Sequence, residues 1–118
     1  MSSPPGVVAT PLVELDAGVF KYILVRVSSS EGVGRTLVRG YNSCQLHSDV
    51  MAETMRRCPS ATLECIGGGR IEHTPSDRSI SIYGYSQAYG RADHARAKEL
   101  CQQHFGDGYN ITWNNDGY

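Results

Sequence analysis

The groups in this chain suited to chemistry are His47, Lys21, Arg70 and the tripeptide Ser86-Gln87-Ala88. All of them fit a bound anion. His47 opens a helical pattern just after a polar stretch. It therefore falls in a first turn, where unpaired N–H groups and the positive end of the helix dipole favour negative charge. The N–H of Ser48 lies in the same turn. The positive helix end opposes a second positive charge, so an imidazole there can stay neutral near pH 7 and serve as a general base. The plainer reading is that His47 packs beside Val50 and Met51.

Lys21 alternates with Val19, Ile23, Val25 and Val27 on an extended run, so its stem shares an apolar face. A lysine there needs a partner or a route to water, and a phosphoryl group would be a partner. Arg70 follows three consecutive glycines, whose missing side chains let the backbone turn sharply or approach a ligand closely. Its guanidinium suits phosphate oxygens, and a surface pair with Glu72 or Asp77 is the competing reading. Ser86-Gln87-Ala88 follows a strand pattern, and successive N–H groups in such a turn can grip oxygens.

Cys65 stands five positions before Arg70, which invites comparison with cysteine-dependent phosphatase loops. That loop holds five residues between cysteine and arginine and is followed by a helix. Here the interval is one residue shorter and strand-like residues follow, so Cys65 reads as inert. Cys44 and His47 form a single Cys-x-x-His pair with no second pair at zinc-site spacing, so no metal is expected. His104 lies on a helical stripe and reads as packing, His73 sits at a strand end, and His94 begins the second helix, where it could bind anions although nothing else marks it.

The elements that must position these groups follow from periodicity. Val19–Val27 is apolar on both faces and reads as a central strand, and Thr36–Tyr41 as a second strand. Leu46–Arg57 carries apolar residues at helical spacing, with Asn42 or Ser43 available as a cap and Pro59 as a stop. Thr62–Ile66 and Arg70–Thr74 read as strands on either side of the glycines, and Ser79–Ser86 as another. Ala92–Phe105 is a second helix and Tyr109–Trp113 a last strand. This order predicts an α/β fold: one compact domain, residues 18–118, with a mixed sheet of about six strands flanked by two helices. Residues 1–17, with Pro4, Pro5 and Pro11, read as a flexible or extended arm.

The chain has 118 residues, enough for one core. A net charge of −1 argues against broad nucleic-acid binding. No apolar run reaches the ~18 residues of a membrane span. The first residues lack the pattern of a secretory signal, and the four cysteines show no CxxC pair. Reduced thiols in the cytoplasm are therefore expected.

The chain resembles the small phosphohistidine phosphatases, the Janus family. The resemblance rests on Gly18–Val27, Val38-Arg-Gly-Tyr41, His47-x-Asp49, Glu64–Ile71 with His73, Tyr83–Gly90 and Thr112–Tyr118. It implies a compact α/β domain and metal-independent, cofactor-free removal of phosphate from phosphohistidine, and by extension phospholysine, in proteins. It places the family's essential histidine on His47, acting as base or nucleophile. The substrate-binding lysine falls on Lys21, the glycine-preceded arginine on Arg70, and the substrate loop on Ser86, Gln87 and Ala88. Arg39 matches a family arginine near the pocket. The chain departs from the family at Leu46 and Ser48, where Tyr and Ala are frequent, at Gln87, where Met is frequent, and in its N-terminal arm, which does not match. The implied partners are phosphohistidine-containing proteins and phosphate, met by a monomer. The competing reading is a phosphate- or phosphopeptide-binding module without turnover.

Overall fold

The computed structural model describes residues 11–28, 35–59 and 61–117. Six strands form one mixed sheet: β1 (Val13–Leu15), β2 (Gly18–Ser28), β3 (Arg35–Gly40), β4 (Thr62–Thr74), β5 (Ser79–Tyr83) and β6 (Asn110–Trp113). Helix α1 (His47–Arg57) follows β3, and helix α2 (His94–Phe105) follows β5. The spatial order is β1-β3-β2-β4-β5-β6. The outer pairs β1/β3 and β5/β6 are parallel and the three inner pairs antiparallel. The architecture predicted from the sequence is therefore the one found.

β2 is interior to the sheet, as its two apolar faces require. Phe20, Tyr22 and Leu24 pack with Ala97, Leu100 and Cys101 of α2. Ile23 and Val25 pack with Val50 and Met51 of α1. The helices thus cover opposite faces, and each fully buried aliphatic side chain contributes about 1.5–3 kcal/mol relative to exposure. Lys21 continues the Ile23 and Val25 row, which points it to the α1 face.

The stretch expected to be an arm enters the fold before Gly18. Val13 is buried and β1 pairs with β3. The tie is Arg39, whose guanidinium donates to the carbonyls of Pro11 at 2.6 Å and Val38 at 2.9 Å, with Glu14 at 3.9 Å. Residues 1–10 lie outside the described residues.

The triple glycine does not turn. β4 runs unbroken through Gly67, Gly68 and Gly69, with one bulge where Leu24 pairs Gly67 and Val25 pairs Cys65. The glycines serve close packing instead. A Cβ on Gly68 would stand 2.7 Å from His47 Cδ2, and one on Gly67 would stand 2.7 Å from the Ala92 backbone. A Cβ on Gly69 would collide with the Tyr83 carbonyl and the His94 ring.

Other boundaries differ by a few residues. β5 ends at Tyr83 because Gly84 takes a positive φ of 77° and turns the chain out of the sheet. α2 starts at His94 because the Ala92 N–H is spent on Gly68 O at 3.0 Å and Asp93 caps the helix through Arg96 N. His104, expected in the core stripe, is exposed and lies edge-on to Phe105.

Gly69→Ala is expected to lower stability by about 1–3 kcal/mol, because backbone must move to admit the methyl group. Gly108→Ala, whose Cβ would meet only Arg78 at 3.6 Å, serves as the control. It is expected to range from neutral to about 1 kcal/mol stabilising. Urea denaturation of both variants checks the contrast.

Candidate active site

α1 begins beside β4 with His47 as its first residue. Asn42 and Ser43 do not cap it. Leu46 holds the cap position, its N–H donates to Asp49 Oδ2 at 3.0 Å, and its carbonyl accepts from Asp49 N at 3.0 Å. The N–H groups of His47 and Ser48 precede the first helical hydrogen bond and remain unpaired among the described residues. His47 is buried, at 7% exposure, and its ring lies over Gly68, with Nε2 2.9 Å from Gly69 O. A carbonyl can only accept, so Nε2 carries the proton. In the neutral ring Nδ1 therefore holds the lone pair.

Lys21 and Arg70 are direct partners across β2 and β4, so their side chains project to the same face. Among the described residues neither pairs with a carboxylate, and Arg70 Nε is buried without a hydrogen-bond partner. The expected competitor for Arg70, a surface pair with Glu72 or Asp77, is not formed. Burial pushes the His47 pKa down. The Gly69 hydrogen bond opposes this, and the charges of Lys21 and Arg70 add to the lowering.

The third wall is the loop after β5. Ser86 and Gly90 exchange backbone hydrogen bonds, and Ser86 Oγ accepts from Tyr89 N at 3.0 Å. Ser86 N–H is therefore spent within the loop. The N–H groups of Gln87 and Ala88 are unpaired among the described residues. The loop hangs from Gly84, whose N–H donates to Asp116 O and whose carbonyl accepts from His94 Nε2 at 2.7 Å. His94 Nδ1 in turn accepts from Tyr22 OH at 2.5 Å.

These walls enclose a pocket of about 410 Å³ lined by Lys21, Leu46, His47, Ser48, Arg70, Tyr85 and Ser86–Ala88. Arg39 does not line it, since its guanidinium is committed to the β1 segment. Cys65 does not line it either, and burial pushes its thiol pKa up, opposite to what a nucleophile needs. No helix among the described residues is long and apolar enough to cross a membrane.

A model of the Janus/Ocnus family (Ocnus) matches residues 7–109. The chain belongs to the Janus/Ocnus family. It is similar to the human 14 kDa phosphohistidine phosphatase, with 42% identity covering 92% of this chain and 93% of that protein. The pig 14 kDa phosphohistidine phosphatase is 36% identical over the full length of both chains. The sex-regulated protein janus-A of Drosophila pseudoobscura pseudoobscura is 40% identical, covering 92% of this chain and 77% of that protein. The family match begins within the arm that the sequence reading placed outside the resemblance.

In this Janus/Ocnus member the fold gathers Lys21, His47, Ser48, Arg70 and Ser86–Ala88 from four separate segments into one pocket. Only Arg39 stands apart. Leu46 and Tyr85 line the pocket as well; Leu46 was marked in the sequence only as a departure from the family, and Tyr85 only by its adjacency to Ser86. His94 supports the loop from the opposite face of the sheet. Its sequence signal was its place at a helix start, which pointed to anions rather than to Gly84.

The histidine titration of His47, followed by NMR, is expected to have its midpoint below the ordinary value of 6.5. In Arg70→Met the midpoint should rise, because removing a neighbouring positive charge eases protonation of the ring.

Proposed function

We propose that this chain hydrolyses the P–N bond of phosphohistidine in proteins without a metal ion. The same site accommodates phospholysine, another phosphoramidate. The observation that carries this reading is a buried imidazole with one nitrogen tied to a carbonyl, set beside two cations that no carboxylate among the described residues neutralises. The 14 kDa phosphohistidine phosphatases, 36% and 42% identical to this chain, support it.

In the proposed reaction the phosphoryl group sits over the start of α1. The unpaired N–H groups of His47, Ser48, Gln87 and Ala88 hold its oxygens. Lys21 and Arg70 offset the charge that gathers there in the transition state. His47 Nδ1 takes a proton from a water aligned with the P–N bond. The water oxygen bonds to phosphorus as the P–N bond breaks, and the leaving imidazole takes its proton from solvent at the open rim. Ser86 keeps the loop in shape through Tyr89 and Gly90.

A module that only binds phosphate has no use for a base held free of its proton, so the lone pair on His47 favours turnover. Hydrolysis of a phosphohistidine peptide in excess EDTA is expected, and its absence would favour the binding module or a metal-dependent reaction. His47→Ala should lose at least about 10²-fold in kcat, the usual worth of a positioned base. Lys21→Ala and Arg70→Ala should each lose roughly 10²-fold in kcat/KM. Rapid quench without acid should yield no phosphorylated His47. Trapping such a species would replace the base with a nucleophile.

Because the neutral ring is the active form, activity should persist as pH falls below the ordinary imidazole value of 6.5, then fail as His47 gains its proton. A pH profile of kcat/KM checks the position of that limb.

A further inference from the structure

The floor of the pocket is charged, but its rim is not. His47, Lys21, Arg70 and Ser86 are buried or half-buried, while Leu46, Ser48, Gln87 and Ala88 are exposed. None of the four rim side chains ionises. Leu46 is 55% exposed, and of the exposed large hydrophobic residues (Val19, Leu46, Met55 and Trp113) it is the one that lines the pocket.

Leu46 also occupies a position where leucine does nothing for the helix. Cap positions favour Ser, Thr, Asp and Asn, whose side chains bind a free N–H of the first turn. Leu46 makes no such bond, and Asp49 serves the cap through the Leu46 backbone alone. An apolar side chain is thus held in water, at a site where a polar one would stabilise the helix, immediately before the imidazole.

We infer that Leu46 is a specificity residue that makes this pocket prefer a phosphohistidine flanked by apolar residues. This rests on the phosphohistidine reading above. The phosphoryl group occupies the floor, so the polypeptide that carries it must cross the rim. An apolar neighbour there covers Leu46 and removes both surfaces from water, whereas a polar neighbour loses its hydration without gaining a partner. Ala88 and half-buried Tyr85 also line the pocket and extend the apolar surface.

The test uses the whole chain and two synthetic phosphohistidine peptides, identical except for leucine or asparagine on both sides of the phosphohistidine. The unmodified protein is expected to favour the leucine peptide by about 3- to 10-fold in kcat/KM, the scale of a partly covered apolar contact. In Leu46→Ser the ratio should fall to within about twofold, while Leu46→Met should keep it. Folding does not confuse the result, because serine is the better cap and the Tm of Leu46→Ser should be no lower than that of the unmodified protein. An unmodified ratio near one, or a ratio unchanged in Leu46→Ser, overturns the inference. So does an equal loss on both peptides, which would place Leu46 against the phosphohistidine ring itself. Failure of the unmodified protein to hydrolyse either peptide, or phosphoramidate, would instead overturn the functional reading.

Discussion

The site depends on one hydrogen bond, from His47 Nε2 to the carbonyl of Gly69 at 2.9 Å. It crosses from the first residue of a helix to the middle of a strand, and it fixes which ring nitrogen is bare. The bond requires the imidazole to lie against the sheet, and a side chain on Gly68 would occupy that space. It also requires α1 to end its approach at this height. Val50 and Met51 set that height by packing on Ile23 and Val25. The same two strands carry Lys21 and Arg70 in register, so the sheet that seats the histidine also delivers its cations.

The other face of β4 repeats the device for a different end. His94 also begins a helix, also lies against a glycine of the triplet, and also ties Nε2 to a carbonyl. Its Nδ1, however, is taken by the hydroxyl of Tyr22. Burial holds the Tyr22 pKa well above its usual value, so that hydroxyl keeps its proton and donates it to the ring. Both His94 nitrogens are thus committed, and the ring anchors Gly84 and the loop beyond. Two histidines at equivalent helix positions divide into one that holds the structure and one that keeps a free lone pair.

This division explains what the sequence could and could not reveal. The apolar faces of β2 and the helical spacing of Val50 and Met51 carried their own message, and with them the sheet and both helices. His47 was legible because helix starts favour anions, but the same rule flagged His94, and only the contact with Tyr22 separates them. The glycines read as a turn because glycine tolerates unusual backbone. In the structure only Gly67 uses that tolerance, with φ 145° at the bulge of an otherwise unbroken strand, and all three lack side chains where both faces of the strand are crowded, which depends on residues remote in sequence. Arg39 matched a family position, yet its carbonyl partners Pro11 and Leu12 belong to a segment with no strong strand pattern. Leu46 read as the first residue of a helix and as a departure from the family, and its exposure at the pocket rim appears only once α1 is packed on the sheet.

The most direct test of this account is the tautomer of His47 at neutral pH, read from long-range proton–nitrogen NMR spectra of its ring. The account predicts a neutral imidazole protonated at Nε2, with Nδ1 showing the shift of a bare nitrogen. A ring protonated at Nδ1, or an imidazolium, would contradict it, because the lone pair on which the proposed chemistry rests would then be absent.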